Sequence, residues 1–191
     1  MTKNQILKKI KQNKCIAAIK DDEGLEKVLT LDLGVVFILY GDVMSIGEIV
    51  KKIRDAGKAA IVHMDLVGGL SAKEVSVDYI KETVHADGII STKQNLIKRA
   101  RELGLFAVMR FFVIDSMALV NLNRQCAAVL PDCIEILPGL MPKVIRRIAD
   151  AERVPVIAGG LISDTEDVTA ACNAGAIAVS TTRAELWENV T

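Results

Sequence analysis

Two sets of residues in this 191-residue chain have types and spacing suited to chemistry. The first begins in "VPVIAGGLISDTEDV" (154–168), where a short apolar run ends in Gly159 and Gly160 before a helix-like pattern starts. A residue without Cβ lets backbone N–H groups come close to an anion, although the same pair also suits a tight turn. One unit later, "AVSTTRAELW" (178–187) puts Ser180, Thr181, Thr182 and Arg183 at the end of the next apolar run. Hydroxyls, N–H donors and a guanidinium together are phosphate-binding chemistry. The second set stands at the ends of other apolar runs: Lys20 and Asp21, His63 and Asp65, Lys93 after Ser91-Thr92, Arg110, and Glu135. These donors and acceptors suit the hydroxyls of a polyol. They would also serve a reaction, with lysine as a Schiff-base former and carboxylates as acid and base. Alternatively, His63 would be a structural histidine fixed by Asp65, two residues away on the same strand face. No catalytic cysteine, nucleophilic serine or spaced metal cluster is visible, so neither metal nor cofactor is expected.

The elements that must carry these groups follow from periodicity. Strand-like runs at 15–21, 35–41, 59–66, 88–93, 106–113, 133–139, 155–160 and 176–182 are separated by helical patterns such as "SIGEIVKKIRDAG", "TKQNLIKRARELG", "SMALVNLNRQCAAVL", "MPKVIRRIADAE", "TEDVTAACNAG" and "RAELWENV". Gly57, Gly104 and Gly175 follow helical runs, where a left-handed residue ends a helix. Pro142 opens a helix and Pro155 opens a strand. Eight strand–helix units with nothing left over predict one α/β domain over 1–191, a short (β/α)8 barrel with minimal loops. The alternative is an open doubly wound sheet. In such a barrel the polar residues lie at the strands' C-terminal ends, where ligands bind. The recurring phosphate site there joins the loops after strands seven and eight to the N-terminus of a short extra helix.

Composition narrows the function. Hydrophobic residues make up 51% of the chain and aromatics only 4%, so aliphatic packing dominates. No apolar run is long enough for a signal peptide or a membrane span, which predicts a soluble, cytoplasmic protein with no membrane partner. Cys15, Cys126, Cys133 and Cys172 form no paired motif and read as free thiols in a reducing compartment. Apolar residues near Leu186 and Trp187 would either seal the barrel end or form a homodimer surface.

Six ordered blocks carry a resemblance: "HMDLVGGLS" (63–71), "ADGIISTK" (86–93), "RFFVIDSMAL" (110–119), "PDCIEILPGLMPKVI" (131–145), "PVIAGGLI" (155–162) and "AVSTTRAELW" (178–187). Together they resemble the glycerol uptake operon antiterminator family over essentially the whole chain. The resemblance implies a non-enzymatic regulator that senses glycerol 3-phosphate and binds leader mRNA of glycerol-utilisation genes, preventing a terminator from forming. It implies that Gly159, Gly160, Ser180 and Thr181 hold the phosphate, with Thr182 beside them. Lys20, Asp21, His63, Asp65, Lys93, Arg110 and Glu135 would line the rest of the pocket. Two other readings stay open: an isomerase, lyase or synthase acting on a small phosphorylated metabolite, and a metabolite binder without an RNA partner.

RNA binding sits less easily with the composition. Lys+Arg and Asp+Glu are both 24, and aromatic residues for base stacking are few. Basic clusters occur at "LKKIKQNK", "KKIRDAGK", "KRAR" and "KVIRR", each also readable as the solvated face of an outer helix. Lys143, Arg146 and Arg147 share one helix face and are the first candidates for RNA contact. Gly68 and Gly69 in "VGGLS" are candidate hinges for a loop that closes over the ligand.

Overall fold

A computed structural model describes residues 1–151 and 154–189. The eight strands are β1 (Cys15–Ile19), β2 (Val35–Ile38), β3 (Ala59–His63), β4 (Gly88–Ser91), β5 (Phe106–Phe112), β6 (Cys133–Leu137), β7 (Val156–Gly159) and β8 (Ala178–Thr181). All neighbours are parallel, and β1 pairs with β8, so the sheet is a closed barrel and not an open one. The described helices are α1 (Lys3–Asn13), α2 (Asp22–Leu29), α3 (Ile46–Asp55), α4 (Glu74–Glu82), α5 (Gln94–Glu102), α6 (Ser116–Val129), α7 (Pro142–Ala151), α8 (Thr165–Asn173) and α9 (Ala184–Asn189). Glu152 and Val190, the last residues of two expected helices, lie outside the described residues.

Alternation along each strand divides the core in two. Ile16, Ala18, Val35, Phe37, Ala59, Ile61, Ile90, Phe106, Val108 and Cys133 point into the barrel. Their neighbours, such as Ala17, Val36, Ala60, Val62, Ile89 and Met109, point outward and pack under the helices. Both strand faces are therefore buried, as a parallel sheet requires. Fully burying a side chain the size of Phe37 or Phe106 stabilises the fold by about 2–3 kcal/mol. Gly88 is fixed by sterics, because a Cβ there would lie 2.3 Å from the carbonyl oxygen of Phe106.

The structure departs from the sequence reading in two respects. There is an element left over: α1 precedes the first strand and is started by a Thr2–Gln5 capping box. Its Ile6 and Ile10, one turn apart, are fully buried against the inward-facing residues and plug the barrel at its N-terminal end. The strands are also shorter than the apolar runs. Lys20, Asp21, Asp65, Thr92, Lys93, Gly160 and Thr182 all fall in turns just past the ladder, where the chain leaves the barrel for a helix.

The expected helix ends hold. Gly57, Gly104 and Gly175 all have positive φ, and Pro142 is the first residue of α7. Cys15, Cys126 and Cys133 are buried free thiols, and Cys172 is half-buried. Burial pushes the Cys15 thiol up to about 12. No described helix is long and apolar enough to cross a membrane. Leu186 and Trp187 are 4% and 2% exposed, and the Trp187 indole N–H donates to the Thr181 carbonyl. They pack within the chain and offer no dimer surface.

Candidate functional site

At the C-terminal mouth of the barrel lies a cavity of about 370 Å³. Its inner wall is an ionic network that three strands supply. Glu135, on β6, is fully buried and accepts from the Nε–H of Arg110 on β5 at 2.5 Å and from the Ser180 hydroxyl on β8 at 2.5 Å. The pairing Arg110↔Glu135 is also a register pair of the sheet, so backbone geometry holds the two side chains together. A buried carboxylate of this kind is tolerable only with both oxygens engaged. Gly159 makes the room: a Cβ there would lie 2.6 Å from both Glu135 Oε1 and Ser180 Oγ.

The outer wall is the 160–163 loop together with Thr182 and Arg183. Gly160 (φ +73°) and Leu161 (φ +63°) turn the chain sharply, and the Leu161 side chain is 71% exposed. Each member of the glycine pair thus has its own reason: room for Glu135 at 159, and a left-handed backbone beside Leu137 at 160. The Thr181 hydroxyl donates to the Ile162 carbonyl and accepts from the Arg183 N–H, tying the two loops to each other. Thr182 and Arg183 are exposed, and among the described residues nothing accepts the Thr182 N–H or hydroxyl. The β8 turn leads directly into α9, the eighth unit's own helix, so the expected short extra helix is absent among the described residues.

The chain matches the family of glycerol-3-phosphate responsive antiterminators over residues 15–187. It belongs to that family. Among its relatives is YgcP of Escherichia coli (strain K12), 46% identical over 182 residues, which are 95% of each chain. The glycerol uptake operon antiterminator regulatory protein of Listeria monocytogenes has a solved structure with TM-score 0.88 and 38% identity, covering 91% of this chain and 94% of that one. A glycerol uptake operon antiterminator-related protein of Thermotoga maritima gives 0.81 and 34%, covering 91% and 96%. These matches confirm the resemblance read from the six sequence blocks.

Within this family member the mouth does not gather every residue the sequence suggested. Gly160, Ser180, Thr181, Thr182, Arg110 and Glu135 line the cavity, and Gly159 lies directly behind it. Lys20 and Asp21 line a neighbouring cleft that shares Thr182, where the Asp21 carboxylate caps α2 by accepting from the Gly24 N–H. Asp65 is committed to β4: its carboxylate accepts from the Ser91 hydroxyl and from the N–H and hydroxyl of Thr92. Burial works against the charged form of Asp65, but those three bonds outweigh it and hold the carboxyl below its ordinary value.

His63 is therefore not fixed by Asp65. Its Nδ1 is buried with no hydrogen-bond partner. Burial, reinforced by the nearby Arg110 charge, lowers its pKa to about 4, so the imidazole is neutral at physiological pH. Lys93 is exposed at the first turn of α5 without capping it. Lys143, Arg146 and Arg147 are exposed on α7, away from the mouth cavity, and Arg146 donates to the Asn173 carbonyl. In the "VGGLS" loop Gly68 donates to the Gly41 carbonyl and accepts from the Val43 N–H, both at 2.9 Å, which ties this loop to the turn after β2. Sequence reasoning missed the apolar lining from Leu39 and Leu137, which nothing but strand register reveals. Among the described residues no group of three His, Cys, Asp or Glu side chains is arranged to hold a metal.

Proposed function

We propose that this chain is a cytoplasmic glycerol-3-phosphate sensor that acts on leader mRNA of glycerol-utilisation genes and catalyses no reaction. Glycerol 3-phosphate is the only small ligand it needs. Its phosphate sits on the 160–163 loop and the Thr182 N–H and hydroxyl, with Arg183 alongside. The glycerol moiety faces Arg110, Glu135 and Ser180. Gly159 and Thr181 act indirectly, by making room for Glu135 and by holding the loop. His63 and Lys93 stand at the ends of β3 and β4, on strands that do not line the cavity. A regulator needs no acid or base, and Glu135 has both oxygens already engaged.

The observation that carries this reading is the unfilled donor set at Thr182. The corresponding turn after β4 uses the same donors, and there a carboxylate from the protein itself fills them. A homodimer would use the exposed apolar residues around α6 (Phe112, Ile114, Met117 and Val120), and sedimentation at two concentrations tests it. Calorimetric titration with glycerol 3-phosphate, glycerol and inorganic phosphate in parallel tests the sensor. Selective binding of glycerol 3-phosphate, lost in Gly160→Asp, is expected. Binding of none of the three would refute the reading.

A further inference from the structure

The face opposite the cavity is formed by α1, which lies across the strands' N-terminal ends. Its solvent-exposed residues are Asn4, Gln5, Lys8, Lys11 and Gln12, and Lys14 follows at the C-cap. The helix contains no carboxylate at all. Amines and amides of this kind donate to phosphate and sugar oxygens, and they offer nothing that repels a polyanion.

The outer helices mix cations with carboxylates: Lys98 and Lys143 are also without an ion-pair partner among the described residues, but Glu102 and Asp150 share their helices. On the outer helices Lys51 pairs with Asp55, Lys52 with Glu26, Lys27 with Glu188, and Arg99 with Asp78 and Glu102. Among the described residues Lys8, Lys11 and Lys14 have no ion-pair partner, while Lys3 binds Asp132. Two of the three nearby aspartates are already engaged elsewhere. Asp87 is bound by Arg54 and by the Ala60 N–H, and Asp132 by Lys3, Arg101 and the Ala107 N–H, which leaves Asp32 as the exposed carboxylate nearby. Complementing the helix dipole accounts for a basic last turn but not for Lys8 in mid-helix or for a face without acids.

We infer that the exposed face of α1, through Lys8, Lys11 and Lys14, is the surface that contacts the RNA backbone. Arg146 extends the same track, because its guanidinium reaches Asn173, the last residue of α8, at this end of the barrel. The inference rests on the reading of the chain as an antiterminator. It accounts for RNA binding by a protein with no net charge, because α1 gathers cations on a helix that carries no acid. The Lys14 carbonyl accepts from the Val179 N–H at 2.9 Å, and the next residue, Ser180, lines the cavity. Strand β8 therefore joins the RNA face to the ligand face.

The test is fluorescence titration of a labelled RNA hairpin with single-stranded flanks, over a series of salt concentrations. Calorimetry with glycerol 3-phosphate runs alongside on the same preparations. Three proteins are compared: wild type, the triple Lys8→Gln/Lys11→Gln/Lys14→Gln, and a control Lys51→Gln/Lys52→Gln on α3. The triple is expected to bind RNA roughly 100-fold more weakly at 0.1 M salt, with a log–log salt slope smaller by about 2. Its affinity for glycerol 3-phosphate stays unchanged, and the control matches wild type.

Equal RNA affinity and slope for wild type and triple overturn the α1 assignment while leaving the antiterminator reading intact. Failure of wild type to bind RNA even at low salt, with glycerol 3-phosphate still bound, overturns the assignment and the RNA half of that reading together. Binding to phosphatidylserine vesicles but not to RNA overturns it in favour of a membrane surface. Loss of glycerol 3-phosphate binding by wild type, with RNA binding and its α1 dependence retained, supports α1 and strikes at the sensor alone.

Discussion

At the end of β4 the chain runs Ser91-Thr92-Lys93 into α5, and at the end of β8 it runs Thr181-Thr182-Arg183 into α9. In both turns the first hydroxyl accepts from the N–H two residues on, Lys93 in one and Arg183 in the other. In both, the middle threonine presents an N–H and a hydroxyl past the strand end. After β4 these donors are filled by Asp65, two residues past the end of β3. The position two past the end of β7 is Leu161, whose side chain points to solvent, and the Thr182 donors stay open to the cavity. A tight exit from a parallel strand leaves backbone donors that want an anion. This chain supplies one anion itself and leaves the second place for a ligand.

That contrast makes the β4 end a structural device and the β8 end a binding one, and four measurements bear on it. The largest effect should be in stability, behind the closed end. His63 has a pKa of about 4 in the fold against 6.5 for the free side chain, so the folded state resists protonation that the unfolded state accepts. Its stabilising contribution is complete above pH 6.5 and declines as pH falls from 6.5 through 4, by about 3 kcal/mol in all. Urea unfolding of wild type and His63→Gln across that window should diverge accordingly, and parallel curves would refute a buried neutral imidazole.

Next in size is Leu161→Asp, which puts a carboxylate where the closed end carries Asp65. Filling the open donors from within should weaken glycerol 3-phosphate binding at least about 30-fold, or roughly 2 kcal/mol, without lowering stability. Unchanged affinity by calorimetry would mean the two ends are alike only in outline. The reverse change, Asp65→Ala, leaves three donors without their acceptor and should cost about 1 kcal/mol in urea unfolding, with ligand affinity unaltered. A matched loss of affinity would show that the two ends are coupled. The smallest effect is Thr182→Val, expected to weaken the ligand about fivefold, whereas Thr92→Val should leave it untouched.

The sequence made much of this legible. Strict alternation of apolar runs and helical patterns announced the barrel, and the polar residues at strand ends marked its binding face. The segment "LKKIKQNK" was readable as the face of an outer helix, but its role as a barrel plug was not, because its apolar stripe is thin and no strand precedes it to complete a unit. Asp21, Asp65 and Glu135 looked alike as carboxylates at strand ends, yet they became a helix cap, a strand-end anion and a buried ion-pair partner. Asp21 finds its donor three residues on in its own unit, whereas the donors that fix Asp65 and Glu135 come from other units, 25 to 45 residues away in sequence.

The sequence by itself determined the (β/α)8 barrel, the family and the face that carries the site, because periodicity and turn residues are local properties that repeat along the chain. Tertiary structure alone decided which strand ends are filled and which are open, and that Lys8, Lys11 and Lys14 stand unpaired while the lysines of α3 do not. Hydrogen-bond satisfaction and charge pairing depend on distances across the closed barrel, and no spacing along the chain encodes those distances directly.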